Sequence, residues 1–127
     1  MELDEINTIT EAIITSAIKV HRAFGPGILE SAYEKCLVHE LFKLGLVVER
    51  QVVLPLIYDG VEIDAGYRLD LLVAKTVIVE IKAIEALLPI HRAQLLCYLR
   101  LTGLRVGLLI NFNVYRLVDG IKRVILN

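Results

Sequence analysis

Two acidic residues and a lysine stand in segments that otherwise read as buried strand. Asp70 lies within YRLDLLV (67–73), and Glu80 and Lys82 lie within TVIVEIK (76–82). Side chains alternate along an extended strand, which predicts Arg68, Asp70 and Leu72 on one face, and Ile78, Glu80 and Lys82 on one face of the next strand. Both strands read as central, because each is otherwise a run of Leu, Val and Ile. A carboxylate placed there is costly unless something compensates it. Two arrangements would do so. One is a structural ion pair joining Asp70 or Glu80 to Lys82 or Arg68. The other is a hard divalent cation held by the oxygens of Asp70 and Glu80, with Lys82 beside it.

Other chemistries find little support. His21, His39 and His91 are far apart and show no paired spacing, so a zinc site is not expected, and His91-Arg92 reads as a solvated helix start. Cys36 and Cys97 sit in apolar runs without a CxxC pattern and read as small core hydrophobes in a reducing, cytoplasmic compartment. No phosphate-cradling glycine loop of the GxxxxGK[ST] or GxGxxG type is present. The acidic start MELDEINTIT is unlike a signal peptide, and no uncharged run reaches the roughly 18 residues of a membrane span.

The elements that must position Asp70, Glu80 and Lys82 follow from pattern. With 127 residues, 56% of them hydrophobic, the chain is expected to form one domain over residues 1–127, with a core that needs no disulfide. Ile6, Ile9, Ile13, Ile14, Ala17, Ile18 and Val20 predict an amphipathic helix over 4–23, capped by Asp4 and broken by Phe24-Gly25-Pro26-Gly27. Leu29, Ala32, Tyr33, Cys36, Leu37, Leu41 and Leu44 predict a second, stopped at Gly45. Strands are expected at 47–54, at a segment ending near Val73 after the Tyr58-Asp59-Gly60 turn, and at 76–82. A helix from Pro89 to Thr102 carries Ala93, Leu96, Cys97 and Leu101 as its stripe, with Gly103 as the stop. Strands at 105–111, 114–118 and 122–126 close the chain. The order is ααβββαβββ, an α/β sandwich with a mixed central sheet.

The motif formed by Asp70 and Glu80-Ile81-Lys82 resembles the D-x(n)-(D/E)-x-K core of the PD-(D/E)XK nuclease superfamily. Gly27-Ile28-Leu29-Glu30-Ser31-Ala32-Tyr33 is similar to the motif that names the GxxExxY group of that superfamily. Tyr67-Arg68-Leu69-Asp70 and Gln94-Leu95-Leu96-Cys97-Tyr98-Leu99 resemble further segments of the group, so the likeness runs from about residue 5 to 118. Leu69 stands where the superfamily motif has proline, a position that varies within it. The resemblance implies a restriction-endonuclease-like fold and a metal-dependent nuclease.

It also implies roles. Asp70 and Glu80 would bind Mg2+ or Mn2+ together with the backbone carbonyl of Ile81, and Glu30 would join through water, although a helix-start carboxylate also serves as a plain cap. Lys82 would position or deprotonate the attacking water, and Gln94 would orient water or touch phosphate. Tyr33 would hold Glu30 or simply pack; Tyr98 would face the site or fill the core; Arg68 would reach the substrate backbone or pair with a carboxylate. The implied substrate is nucleic acid, DNA in preference to RNA. Residues 1–64 carry 5 basic and 11 acidic side chains, and residues 65–127 carry 9 and 4, so one half offers an anionic partner a positive surface. A pI near 6.3 argues against indiscriminate binding, and a homodimer would supply extra binding surface. A catalytically inactive binding or assembly module with the same fold is the alternative.

Overall fold

The computed structural model describes residues 1–127. Ile6, Ile13, Ala17 and Val20 recur at helical spacing and are buried along α1 (Leu3–Phe24). Asp4 and Glu5 in its first turn and His21 and Arg22 in its last suit the helix dipole. Asp4 is not the cap, however: Glu2 precedes the helix, and its backbone carbonyl takes the first amides. Gly25 and Gly27 have φ of 64° and 113°, left-handed geometry that lets the chain leave α1 and enter α2 (Glu30–Lys43) within a few residues.

Next come β1 (Val48–Val53), β2 (Leu56–Tyr58), β3 (Val61–Ile63), β4 (Arg68–Val73), β5 (Val77–Lys82), α3 (Pro89–Thr102), β6 (Val106–Asn111) and β7 (Ile121–Ile125). The five-stranded sheet has the order β1-β4-β5-β6-β7. All neighbours are antiparallel except β5 and β6, which α3 joins as a parallel crossover. Strands β5 and β6 are buried on both faces, which accounts for their near-continuous apolar sequence. One face packs Tyr33, Leu37 and Leu41 of α2 and the apolar side of α1; the other packs Leu95, Tyr98 and Leu99 of α3.

The expected mixed α/β sandwich is present, and the order of elements differs in two places. The segment between β1 and β4 forms an extra hairpin, β2 and β3, outside the main sheet, closed by Asp59-Gly60 with both φ positive. Residues 114–118 are not a strand. Val114 gives its carbonyl to His21 Nε2 at 2.7 Å, and a 3-10 turn at Leu117–Gly120 brings Gly120 against the Asn111 carbonyl, where no Cβ fits. On α3 the buried stripe is Leu95, Tyr98 and Leu99, so Ala93 and Cys97 face outward; Cys97 is exposed, contrary to its reading as core, whereas Cys36 is half-buried and packs against the core.

The turn between β4 and β5 places Ala74 and Lys75 at φ of 52° and 53°. A left-handed conformation costs a residue with a Cβ about 1 kcal/mol or more. Replacing Lys75, which is exposed, by glycine is expected to stabilise the fold by about 1 kcal/mol, measured as a higher urea midpoint at unchanged slope. An unaltered or lower midpoint would show that this turn is not strained.

Candidate functional site

The regular ladder between β4 and β5 runs from Val73–Val77 to Leu71–Val79 and stops there. Past that point side chains take the place of backbone partners. Glu80 Oε2 accepts the Asp70 N–H at 2.9 Å, and Asp70 Oδ2 accepts the Ile81 N–H at 2.8 Å. Each carboxylate thus satisfies an amide of the opposing strand that the parting of the strands would leave orphaned. On the other side of β4, Gln51 is absent from the β1 ladder between Arg50–Leu71 and Val52–Leu69, and its φ is 50°. The disturbance also breaks alternation. Leu72 packs with the α3 cluster, whereas Asp70 lines a cleft on the α2 side, so the expected common face of Arg68, Asp70 and Leu72 does not hold.

That cleft, about 360 Å³, is lined by Leu29, Glu30, Ser31, Glu34, Gln51 and Asp70. Glu30 is the first residue of α2. Glu80, on β5, is buried, and Lys82 two residues on is half-buried. Burial pushes the Glu30 carboxyl up, Asp70 adds to the rise, and Lys82 and the Ala83 amide oppose it. Asp70 is raised chiefly by burial, against the Ile81 N–H and the Lys82 charge. Glu80 moves furthest, from 4.5 to about 8, through burial and then the charge of Asp70. None of these three carboxylates forms an ion pair within 4.0 Å; the three pairs in the protein use Glu40 twice and Glu34 once. The ion-pair arrangement for Asp70 or Glu80 with Lys82 or Arg68 is therefore absent.

Glu34, Arg50 and Gln51 are not among the expected site residues. Glu34 is buried on α2 and takes two hydrogen bonds from the Arg50 guanidinium on Oε2, at 3.0 and 3.2 Å. Gln51 Nε2 donates to Glu34 Oε1 at 2.7 Å and reaches Asp70 Oδ1 at 3.5 Å. The sequence does hold a signal: Glu34, Leu37 and Leu41 share helical spacing, which puts a carboxylate in line with the buried stripe of α2.

The remaining residues scatter more widely. Tyr33 is fully buried, stacks on Phe112 with ring centroids 4.4 Å apart, and donates its hydroxyl hydrogen bond to the Gly25 carbonyl at 2.5 Å. It pins the loop that leads into Glu30 and makes no bond to that carboxylate. Tyr98 is buried among the α3 cluster, and burial together with the nearby Glu80 charge pushes its hydroxyl up to about 12. Gln94 is exposed on α3 without a hydrogen-bond partner in the protein, and Arg68 is exposed at the start of β4. His91 Nδ1 accepts the Leu88 N–H at 2.9 Å, a capping contact at the start of α3.

No three His, Cys, Asp or Glu side chains close on one point tightly enough to enclose an ion unaided. Mg2+ nevertheless keeps several waters and needs only one or two carboxylates. Asp70 and Glu80 fit that demand: each spends one oxygen on a backbone amide, and Glu80 Oε1 has no protein partner and is not sealed from solvent.

A model of the PD-(D/E)XK nuclease superfamily matches residues 7–124, and the chain belongs to that superfamily. No curated protein and no solved structure matches it. The fold is accordingly restriction-endonuclease-like, and the activity that membership indicates is nucleolytic.

The raised carboxylates fix a pH dependence for the metal-free protein. Glu80 binds its proton more tightly folded than unfolded, so its contribution to stability is complete below about 4.5 and is lost as pH rises through about 8. Urea unfolding in EDTA is expected to show stability falling from pH 5 to pH 8 in the wild type and a flatter profile in Glu80→Gln. Identical profiles would mean that Glu80 is not a strained, buried carboxylate.

Proposed function

We propose that residues 1–127 act as a single metal-dependent nuclease domain of the GxxExxY group, hydrolysing phosphodiester bonds of DNA in preference to RNA. One observation carries this reading: the Lys82 charge acts on Glu30, Asp70 and Glu80 alike, yet none of them is neutralised by an ion pair. The contacts they do make are to neutral donors: the Asp70, Ile81 and Ala83 amides and the Gln51 side chain. Asp70, Glu80 and the Ile81 carbonyl would hold Mg2+ or Mn2+, with Glu30 joining through water. Such an ion, when bound, supplies positive charge to the scissile phosphate and acidifies a water for attack.

The protein's own groups do the rest. Asp70 is oriented by the Ile81 N–H and Glu80 by the Asp70 N–H, so neither must reorganise when the substrate arrives. Lys82 orients the attacking water and offsets negative charge that builds on the phosphate. Tyr98, its hydroxyl pushed up to about 12, stays protonated at neutral pH and so has a hydrogen to donate. Gln94 and Arg68, both exposed, are free to contact substrate oxygens. Two free cysteines, one exposed, support a reducing cytoplasmic setting.

End-labelled duplex, single-stranded and branched DNA, and RNA, should be offered to the wild type with Mg2+, Mn2+ or EDTA. Cutting that needs metal, favours DNA and falls at least about a thousandfold in Lys82→Ala and Asp70→Asn is expected, the scale of losing a principal electrostatic group. Equal cutting by all three proteins would mean contamination. Absence of cutting with any metal would leave a binding module.

The hairpin of β2 and β3 exposes Ile57, Tyr58, Val61 and Ile63, an apolar surface on a two-stranded ribbon that is marginal alone. We propose that a homodimer covers it. Light scattering should give twice the 14.3 kDa chain mass, and Ile57→Lys should return it to the monomer. A wild-type monomer at micromolar concentration would refute the dimer.

A further inference from the structure

The topology gathers several features at one rim of the sheet. β4 begins there, and β1, β5 and β6 end there, because Val53 faces Arg68 and Lys82 faces Asn111 in the register. Beyond Asn111 the chain is pinned rather than loose. The Phe112 N–H donates to the Lys82 carbonyl at 2.9 Å, Asn113 Nδ2 donates to the Ile84 carbonyl at 3.2 Å, and Val114 is held by His21. The next residue, Tyr115, is 94% exposed. Fixed backbone on one side and a bare aromatic ring on the other is an arrangement the core does not explain.

Beside Tyr115 lies a shallow cavity of about 320 Å³ between α1 and this loop, lined among others by His21, Arg22 and Arg116. Neither arginine belongs to any of the ion pairs, and no carboxylate lines the cavity. Asp119, exposed, is the nearest acidic residue along the chain. Tyr115 is four positions beyond Asn111, so its Cα lies at most about 14 Å from the strand end that pairs with Lys82. Two guanidinium groups without partners suit phosphates, and the ring offers a face for a base. In a duplex each base face is already covered by its neighbours, so a lone ring has nothing to stack on.

We propose that Tyr115, Arg22 and Arg116 form a docking site for an unpaired stretch of the nucleic acid next to the scissile bond. The site rests on the nuclease reading, and makes the substrate one with a single-stranded segment. Tyr115 stacks on a base, and the two arginines hold the flanking phosphates.

Binding of labelled oligo-dT, the RNA oligo-U and a duplex to the full chain should be measured by anisotropy in EDTA, so that no cutting is required. Tyr115→Ala is expected to weaken oligo-dT and oligo-U about tenfold, with Tyr115→Phe restoring it and the duplex unaffected. Arg22→Ala/Arg116→Ala should lower the slope of log K against log salt by about 1.4, at 0.7 per phosphate. Because the chain has no tryptophan, Tyr115→Trp gives a single reporter whose emission should be quenched by the oligonucleotide. Binding by Tyr115→Ala equal to the wild type, or unquenched indole emission from Tyr115→Trp, would overturn the site. Should the wild type fail to cut with metal while its binding still depends on Tyr115, the site stands and the nuclease reading falls; metal-dependent cutting with binding indifferent to Tyr115 gives the reverse.

Discussion

The chemistry of this fold depends on β4 parting from both its neighbours at one residue. Where Asp70 sits, the pairing with β5 has ended and the pairing with β1 is interrupted by Gln51. Backbone amides freed in a sheet interior need acceptors, and the nearest available are the carboxylates of Asp70 and Glu80 themselves. Two acids are thereby fixed by the strands rather than carried on a loop, so their oxygens are held by the sheet itself. The same exchange has a cost: charge accumulates in a desolvated region, and the raised pKa values of Glu30, Asp70 and Glu80 record it.

Glu34 also lines the cleft, and it alone of these acids has an ion-pair partner. Glu34 has the Arg50 guanidinium on one oxygen and the Gln51 amide on the other, so its charge is matched and its lone pairs are used. Gln51 can then reach Asp70 as a neutral donor, joining α2, β1 and β4 at the point where the sheet is weakest. A residue other than glycine in left-handed geometry within a strand carries strain of roughly 1–3 kcal/mol, and the two hydrogen bonds of its side chain are what hold it there. Glu34 thus differs from Glu30, Asp70 and Glu80 in having a cation of its own.

Much of this is legible in the residues. Asp70, Glu80 and Lys82 announce themselves by interrupting apolar runs, and the β-branched runs and turn residues locate the end of β4 and both ends of β5 to within a residue or so, but not the start of β4. What escapes is contact between segments. Glu34 meets Arg50 and Gln51 across 16 and 17 residues, a separation at which no local periodicity operates. Residues 114–118 have strand-like composition, yet the His21 contact and the tight approach of Gly120 to Asn111 decide their conformation. Cys97 illustrates a smaller error of the same kind, since a stripe of apolar residues on α3 can be drawn one position off when only the sheet beneath it defines which side is inner.

Charge along the rim divides in a way that composition alone cannot reveal. The hairpin at the β1–β4 end carries Asp59, Glu62 and Asp64 and no cation, while the loop beyond β6 and the end of α1 carry Arg116 and Arg22. A polyanion approaching the rim is repelled on one flank and attracted on the other, so its path is biased toward the Tyr115 side even though the whole chain carries a net charge of only −1. The acidic cleft itself repels phosphate, so on this geometry a phosphate is drawn to the rim by Arg22 and Arg116 and not by the cleft.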